Sequence, residues 1–133
     1  MTLIDTHVLI WMDADDARLG RKTRAALDRA LGGQTLAASA ISYWETALLQ
    51  SKRRVRIGPP LAVWRQDQLQ AGLVEIPIDG GIGIQAAALP GFHGDPADRI
   101  IVASAIAHDA ILVTADERIL GWKGPLRTMN ALT

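Results

Sequence analysis

The sequence lacks cysteine and long apolar runs, and these two absences exclude several classes of protein. None of the 133 residues is cysteine, which rules out a disulfide framework, a thiolate zinc site and a cysteine nucleophile. No apolar run approaches the roughly 18–20 residues that a membrane-spanning helix requires. The segment that begins at Met1 also lacks the basic region and the cleavage site of a signal peptide. We therefore expect a soluble, cytoplasmic protein with no membrane association.

A net charge is lacking as well, so the overall charge gives no sign of a nucleic-acid partner. The 14 Lys and Arg residues balance the 14 Asp and Glu residues. The basic residues are nevertheless concentrated in two segments, residues 18–24 and 52–56. Such segments are more often ordinary solvated surface, but they would also suit a polyanion such as RNA.

The alternation of strand-like and helix-like segments predicts an α/β fold. Hydrophobic residues make up 49% of the chain and charged residues 21%, which is typical of a folded domain, and we expect a single domain over residues 1–133. The expected strands are continuous apolar runs, which favour a central, mostly parallel, twisted sheet of four or five strands in a three-layer α/β/α arrangement. The strands are expected at residues 2–5, 35–38, 73–78 and 110–114, with an edge strand at 126–129, and the helices at 7–12, 20–31, 80–89 and 96–108, from 39 or 42 to about 52, and from 60 to about 72.

Two aspartates follow expected strands and therefore lie at the carboxyl edge of the sheet. Asp5 closes the first strand, and Asp116 comes two residues after the fourth strand ends at Thr114. Ligands of parallel sheets bind beyond this edge. Each aspartate alone is equally well explained as a helix cap or a turn residue.

Glu45 has two interpretations. The segment from Ser42 to Glu45 matches a capping box, in which the glutamate reaches back to the backbone of the serine. If Ser39 is the cap instead, Glu45 lies deeper in the helix, between Ile41 and Leu48 on the apolar stripe. An unpaired carboxylate is costly there, so we favour an inward-facing site role for Glu45.

Asp95 and Asp98 compete for a role at the start of a strongly apolar helix. Asp95 followed by Pro96 is the pattern of an N-cap with proline at the first helical position. Asp98 lies at helical spacing from Ile101 and Val102 and so faces the core side of the first turn. We therefore predict that Asp95 caps the helix and that Asp98 is a metal ligand.

Carboxylates that converge on one edge would repel each other strongly without a cation. Oxygen ligands without cysteine or clustered histidine suit Mg²⁺, with Mn²⁺ as a substitute, rather than zinc. Such a site is suited to phosphodiester hydrolysis, in which an activated water attacks phosphorus in line and no protein nucleophile is needed. If four of the acids are gathered at this site, the rest of the surface carries a net positive charge that would attract RNA.

At these residues the sequence resembles the PIN-domain nucleases, in particular the VapC-type toxins of toxin–antitoxin systems. The resemblance covers essentially the whole chain, with four short segments in matching order and spacing at residues 3–7, 42–45, 93–99 and 113–117. It implies a metal-dependent endoribonuclease with an RNA substrate, a homodimer, and inhibition by a small antitoxin protein. The site residues that it implies are the acids Asp5, Glu45, Asp98 and Asp116, as catalytic groups and metal ligands, with the hydroxyls of Thr6 and Thr114 as nearby substrate contacts.

The remaining expectations concern the second basic segment, residues 52–56, and His7. We expect Arg53 and Arg54 to guide RNA toward the acids rather than to react with it. His7, on an apolar helix, is interpreted as structural.

Two other functions remain open from the residues alone. Aspartate-nucleophile phosphohydrolases also place an aspartate after the first strand, and residues 94–98 resemble their late acidic motif, but they require a second aspartate where this chain has His7. A non-catalytic α/β binding module of the receiver type would need paired acids after the first strand and a lysine after the last one, and neither is found.

Overall fold

The computed structural model describes residues 1–133 and is built around a five-stranded sheet in which every pair of neighbouring strands is parallel. The strand order is β3-β2-β1-β4-β5. The α/β prediction is confirmed, and the fifth strand pairs with β4 at the edge of the sheet. The strands are β1 (Thr2–Ile4), β2 (Leu36–Ser39), β3 (Val74–Ile76), β4 (Ile111–Thr114) and β5 (Arg127–Asn130).

Seven helices connect the strands, and six of them were predicted within a few residues. The seventh, Glu117–Leu120, was missed because four residues are too few to show a helical period. The helices are α1 (Thr6–Asp13), α2 (Arg21–Gly32), α3 (Ile41–Ser51), α4 (Leu61–Gln70), α5 (Gly80–Ala87), α6 (Pro96–Ala107) and α7 (Glu117–Leu120). None of these helices is long and apolar enough to cross a bilayer. Strand β3 is shorter than expected and ends before Pro77, which has no backbone N–H for the sheet.

The hydrophobic core has two halves, one on each face of the sheet. Successive side chains of a strand point to opposite faces, so Leu3 packs in one half and Ile4 in the other. Helices α5 and α6 cover the first face, through Ile101 and its neighbours. Helices α1, α2 and α4 cover the second face, where Leu27 is fully buried. Burial on both faces explains why the strands are continuous apolar runs rather than alternating ones.

The strand order brings two of the predicted site residues together at one point of the carboxyl edge. The chain runs outward from the central strand β1 to β2 and β3, and then returns to β4 on the other side of β1. Loops on either side of such a switch point diverge and leave a crevice, where ligands of open α/β sheets bind. Asp5 follows β1 and Asp116 follows β4, so the two aspartates flank this crevice.

Candidate active site

All four predicted acids line one cavity at the switch point. It has a volume of about 200 Å³, and its acids come from the ends of β1 and β4, from the middle of α3 and from the first turn of α6. The lining residues are Asp5, Thr6, His7, Glu45, Leu49, Asp95, Asp98, Asp116 and Arg118. We call this cavity the acidic pocket.

Asp5 is held by two hydrogen bonds and is only 3% exposed. Its Oδ1 accepts from the backbone N–H of Thr6 at 2.8 Å, which caps α1. Its Oδ2 accepts from the hydroxyl of Thr114 at 2.7 Å. The carboxylate of Asp5 therefore caps α1 and also lines the acidic pocket, so the two interpretations are compatible.

The hydroxyls of Thr6 and Thr114 lie beside the acids, but both residues are buried. Thr6 donates to the Oγ of Ser42 at 2.9 Å, while Thr114 donates to Asp5 and accepts from the N–H of Asp116 at 3.0 Å. Both hydroxyls therefore help to position the groups around the acids. Their expected role as substrate contacts stays a prediction.

Glu45 lies in the pocket rather than at a helix start. Helix α3 begins at Ile41, whose N–H donates to the Oγ of Ser39 at 3.1 Å, and Ser42 lies inside the helix. The capping-box interpretation of Ser42 is therefore wrong, and Glu45 lines the pocket, as its inward interpretation requires. The site role of Glu45 stays a prediction. Burial, followed by the nearby charges of Asp5 and the α6 aspartates, raises the pKa of Glu45.

Asp95 caps α6 as predicted, and Asp98 lies in the acidic pocket. Oδ1 of Asp95 accepts from the backbone N–H of Asp98 at 3.1 Å and caps the helix. Asp98 is 6% exposed, and its Oδ2 accepts from Nε2 of His93 at 2.7 Å. Ligand atoms of Asp95, Asp98 and Glu45 nevertheless lie within 4.8 Å of one another. Asp95 thus also adds negative charge to the pocket, a second role that the sequence reasoning missed.

The pKa of Asp98 reflects its burial and the negative charge of the neighbouring carboxylates. Burial raises the pKa of Asp98 to about 6, and the nearby carboxylates of Asp5, Asp95 and Asp116 act in the same direction, against the hydrogen bond from His93. A buried carboxylate surrounded by others is disfavoured in its charged form. The ionised site therefore carries an excess of negative charge, which a bound cation would offset.

Arg118 is the one lysine or arginine in the lining of the acidic pocket, and sequence reasoning missed it. A terminal nitrogen of its guanidinium lies 3.1 Å from Oδ2 of Asp116 and 3.5 Å from Oδ2 of Asp98. Burial alone would raise the pKa of Asp116, but hydrogen bonds from the side chain and backbone of Arg118 bring that pKa below its ordinary value. Asp116 also caps α7, and that short helix is what brings Arg118 over the acids.

The donor set fits a divalent cation that prefers oxygen ligands. Two overlapping groups of potential ligands, His93 with Asp98 and Asp116, and Glu45 with Asp95 and Asp98, each lie within 4.8 Å. Asp98 is common to both groups. Carboxylates of this kind are the usual ligands of Mg²⁺ and Mn²⁺, so the residues present fit such an ion. His7 also lines the pocket, where its Nδ1 lies 3.7 Å from Oδ2 of Asp5, and its Nε2 accepts from the N–H of Ala115 at 2.9 Å, which holds the ring in place.

Comparison with known proteins identifies the family. The sequence model of the PIN domain matches residues 2–121, which include all the acids of the pocket. The chain belongs to the PIN domain family. Over 124 residues it is 38% identical to Ribonuclease VapC22 of Mycobacterium tuberculosis, with 92% of each chain covered. The acidic pocket of this PIN domain is thus the place where its chemistry is to be sought.

Solved structures share the fold of this PIN domain. FitAcB from Neisseria gonorrhoeae superposes with a TM-score of 0.67 at 22% identity, covering 98% of both chains. VapBC2 from Rickettsia felis, bound to a fragment of its promoter DNA, gives 0.65 at 19% identity over 97% of both chains. A toxin–antitoxin complex from Klebsiella pneumoniae gives 0.64 at 22% identity over 98% of both chains. At these identities the likeness establishes the fold alone.

The predicted RNA-guiding arginines lie outside the acidic pocket of the PIN domain. Arg53 and Arg54 are exposed just after α3 and line a separate surface depression with Arg56. A groove that includes Lys52 adjoins the acidic pocket and shares Glu45, Leu49 and Asp95 with it. The structure therefore leaves Arg53 and Arg54 as candidates for binding RNA at a distance from the acids.

The division of work between Asp95 and Asp98 gives a first testable prediction. We expect Asp95→Asn to retain most RNA cleavage, because asparagine caps a helix as well as aspartate. Asp98→Asn should lose cleavage, since Asp98 is shared by both ligand groups. Single-turnover cleavage rates of the two variants decide the matter. Equal loss in both would show that Asp95 also binds the cation.

Proposed function

We propose that this PIN domain is a Mg²⁺-dependent endoribonuclease that acts as the toxin of a toxin–antitoxin pair. The observation that carries the proposal is the buried acidic pocket at the switch point, in which the pKa of Asp98 rises to about 6. Similarity to a relative named as a ribonuclease supports RNA as the substrate. Neither the phosphohydrolase nor the binding-module alternative is favoured by any feature of the pocket.

The chain's own residues prepare the pocket for hydrolysis of a phosphodiester. We assign Asp5, Glu45, Asp98 and Asp116 as the groups that hold the cation. A bound Mg²⁺ supplies Lewis-acid chemistry, which activates water and offsets the charge that develops at phosphorus. Thr114 fixes the orientation of Asp5, and His93 fixes that of Asp98. No side chain is required as a nucleophile.

Electrostatic guidance of RNA is assigned to the basic surface after α3. Replacing Arg53 and Arg54 by alanine should weaken RNA binding and reduce the slope of log affinity against log salt by about 1.4, since each contact to single-stranded RNA contributes about 0.7. The dissociation constant should rise far more than the saturated single-turnover rate falls. Filter binding at several salt concentrations checks this, with Arg29→Ala and Arg127→Ala, which are exposed and lie outside both basic segments, as the matched control. A large fall in the saturated rate would instead place these arginines at the reacting phosphate.

We propose two protein partners, a small antitoxin and a second copy of the chain. A solved structure from Klebsiella pneumoniae with this fold is described as a toxin–antitoxin complex, and the family resemblance implies a homodimer. The groove beside the acidic pocket contains Trp44, which is 53% exposed, together with Leu48 and Pro96. A partner helix anchored on such an apolar surface would cover the pocket. Sedimentation of the purified chain, alone and with its antitoxin, tests both partners.

Expression in bacteria tests the toxin assignment. Wild type expressed without antitoxin should arrest growth and produce discrete RNA fragments, and co-expression of the antitoxin should restore growth. Asp5→Asn, produced at the same level, should neither arrest growth nor produce RNA fragments. Equal arrest by both proteins would separate toxicity from hydrolysis, and growth without RNA cleavage in several hosts would reject the proposal.

A further inference from the structure

A second cavity, of about 460 Å³, adjoins the acidic pocket. Arg118 lines both cavities. His93 lines the second cavity, and its Nε2 contacts Asp98 in the first. Any group bound in the second cavity is therefore next to the acids. Its volume lies within the roughly 300–1,000 Å³ range of small-ligand sites.

The second cavity differs from the first in charge. No carboxylate lines it, whereas its wall includes the cations Arg118 and Lys123. The guanidinium of Arg118 is 60% exposed, and Lys123 is exposed. An anionic group is thus favoured here and disfavoured in the acidic pocket. Phosphate suits arginine because the planar guanidinium can donate two parallel, charge-assisted hydrogen bonds to its oxygens.

One wall of the second cavity is a fixed aromatic ring. The indole Nε1 of Trp122 donates to the carbonyl of Pro90 at 2.9 Å, and its ring meets Phe92 edge-on at 5.4 Å between centroids. The ring also lies directly against the backbone of Gly124, where an added Cβ would fall 2.0 Å from it. A rigid aromatic wall beside cations is the combination on which single-stranded nucleic acids bind, with bases on rings and phosphates on charges.

We propose that the second cavity is a nucleotide subsite for the RNA nucleotide that neighbours the cleavage point. The phosphate of this nucleotide contacts Arg118 and Lys123, and its base lies against Trp122. The functional part of this assignment rests on the proposed ribonuclease activity. Nucleotide binding itself does not, and it can be measured without catalysis.

Titration of the metal-free protein with adenosine 5′-monophosphate in EDTA tests the subsite. Amide and indole N–H signals report the position of binding, and inorganic phosphate serves as a second probe that lacks a base. We expect the nucleotide to shift the Trp122 indole and the amides of Gly121 and Gly124, and phosphate to shift the amides but not the indole. Lys123→Glu should weaken nucleotide binding roughly tenfold. Arg29→Glu, the same charge change on an exposed residue of α2 outside both basic segments, should leave the affinity unchanged.

The outcomes separate the subsite from the activity. No shift at Trp122, or shifts confined to the Arg53 and Arg54 surface, would overturn the subsite even if the protein cleaves RNA. Equal shifts of the indole by phosphate and nucleotide would overturn the base contact. Nucleotide binding at Trp122 in a protein that cleaves no RNA would support the subsite and reject the ribonuclease proposal instead.

Discussion

Asp5→Asn is expected to abolish RNA cleavage and to leave the fold intact. The asparagine oxygen still caps α1. The hydroxyl of Thr114 loses its acceptor, because an amide NH2 group can only donate, but one local hydrogen bond does not hold the fold. What is lost is the negative charge at the centre of the acidic pocket. The rate should fall by more than the roughly 10- to 100-fold that loss of an outer-shell partner of a metal ligand typically costs. Single-turnover kinetics, with circular dichroism on the same samples, measure both effects.

A matched control is available on the surface. Asp28 on α2 is exposed and lines no described cavity, so Asp28→Asn removes one charge without touching the pocket. Its cleavage rate should equal that of wild type. Wild-type activity in Asp5→Asn would show that the acidic pocket is not the reactive site.

Mg²⁺ or Mn²⁺ is expected to stabilise the wild-type fold strongly. A ligand that binds only the folded state, at about 100 times its Kd, adds about 2.7 kcal/mol to the free energy of unfolding. For a domain of this size that corresponds to a rise in Tm on the order of 10 °C. Asp98→Asn should lose most of this rise, because Asp98 is shared by both potential ligand groups. Thermal melts with metal and with EDTA measure it, and an unchanged wild-type Tm would contradict a metal site.

Asp98 should make the free energy of unfolding of the metal-free protein depend on pH. Burial and the neighbouring carboxylates raise the pKa of Asp98 to about 6, so the folded state holds this proton more tightly than the unfolded state. The free energy of unfolding should therefore fall as pH rises from about 4 to about 6 and stay lower above that range. We expect a contribution of about 1–2 kcal/mol after allowance for screening. Asp98→Asn should lack it, and a fall of the same size in that variant would assign it to another group.

The sequence predicted the acids well because each one depends on a local rule. Asp5 and Asp116 follow strands, and the carboxyl ends of parallel strands share one edge whatever the strand order. Asp98 was separated from Asp95 by cap chemistry and helical spacing alone. Only the strand order, which places β1 next to β4, lay beyond such rules, since the pairing depends on contacts between distant segments.

The missed features depend on tertiary geometry. Arg118 lies over Asp98 because a four-residue helix turns it there, and so short a helix leaves no periodic signal. The contact of His93 with Asp98 and the burial of Thr6 and Thr114 likewise depend on how segments pack. The Ser42 capping box failed because α3 already begins at Ile41, and the hydroxyl of Ser42 accepts from that of Thr6 instead.

The chemistry of the RNA ends tests the central claim most directly. Purified wild type should cleave a labelled structured RNA in Mg²⁺, should stop in EDTA, and should resume when Mg²⁺ is restored. Because water rather than the RNA 2′-hydroxyl is the attacking group, the products should carry no 2′,3′-cyclic phosphate. Cleavage that persists in EDTA and leaves cyclic phosphate ends would contradict the account, as would intact RNA in both Mg²⁺ and Mn²⁺.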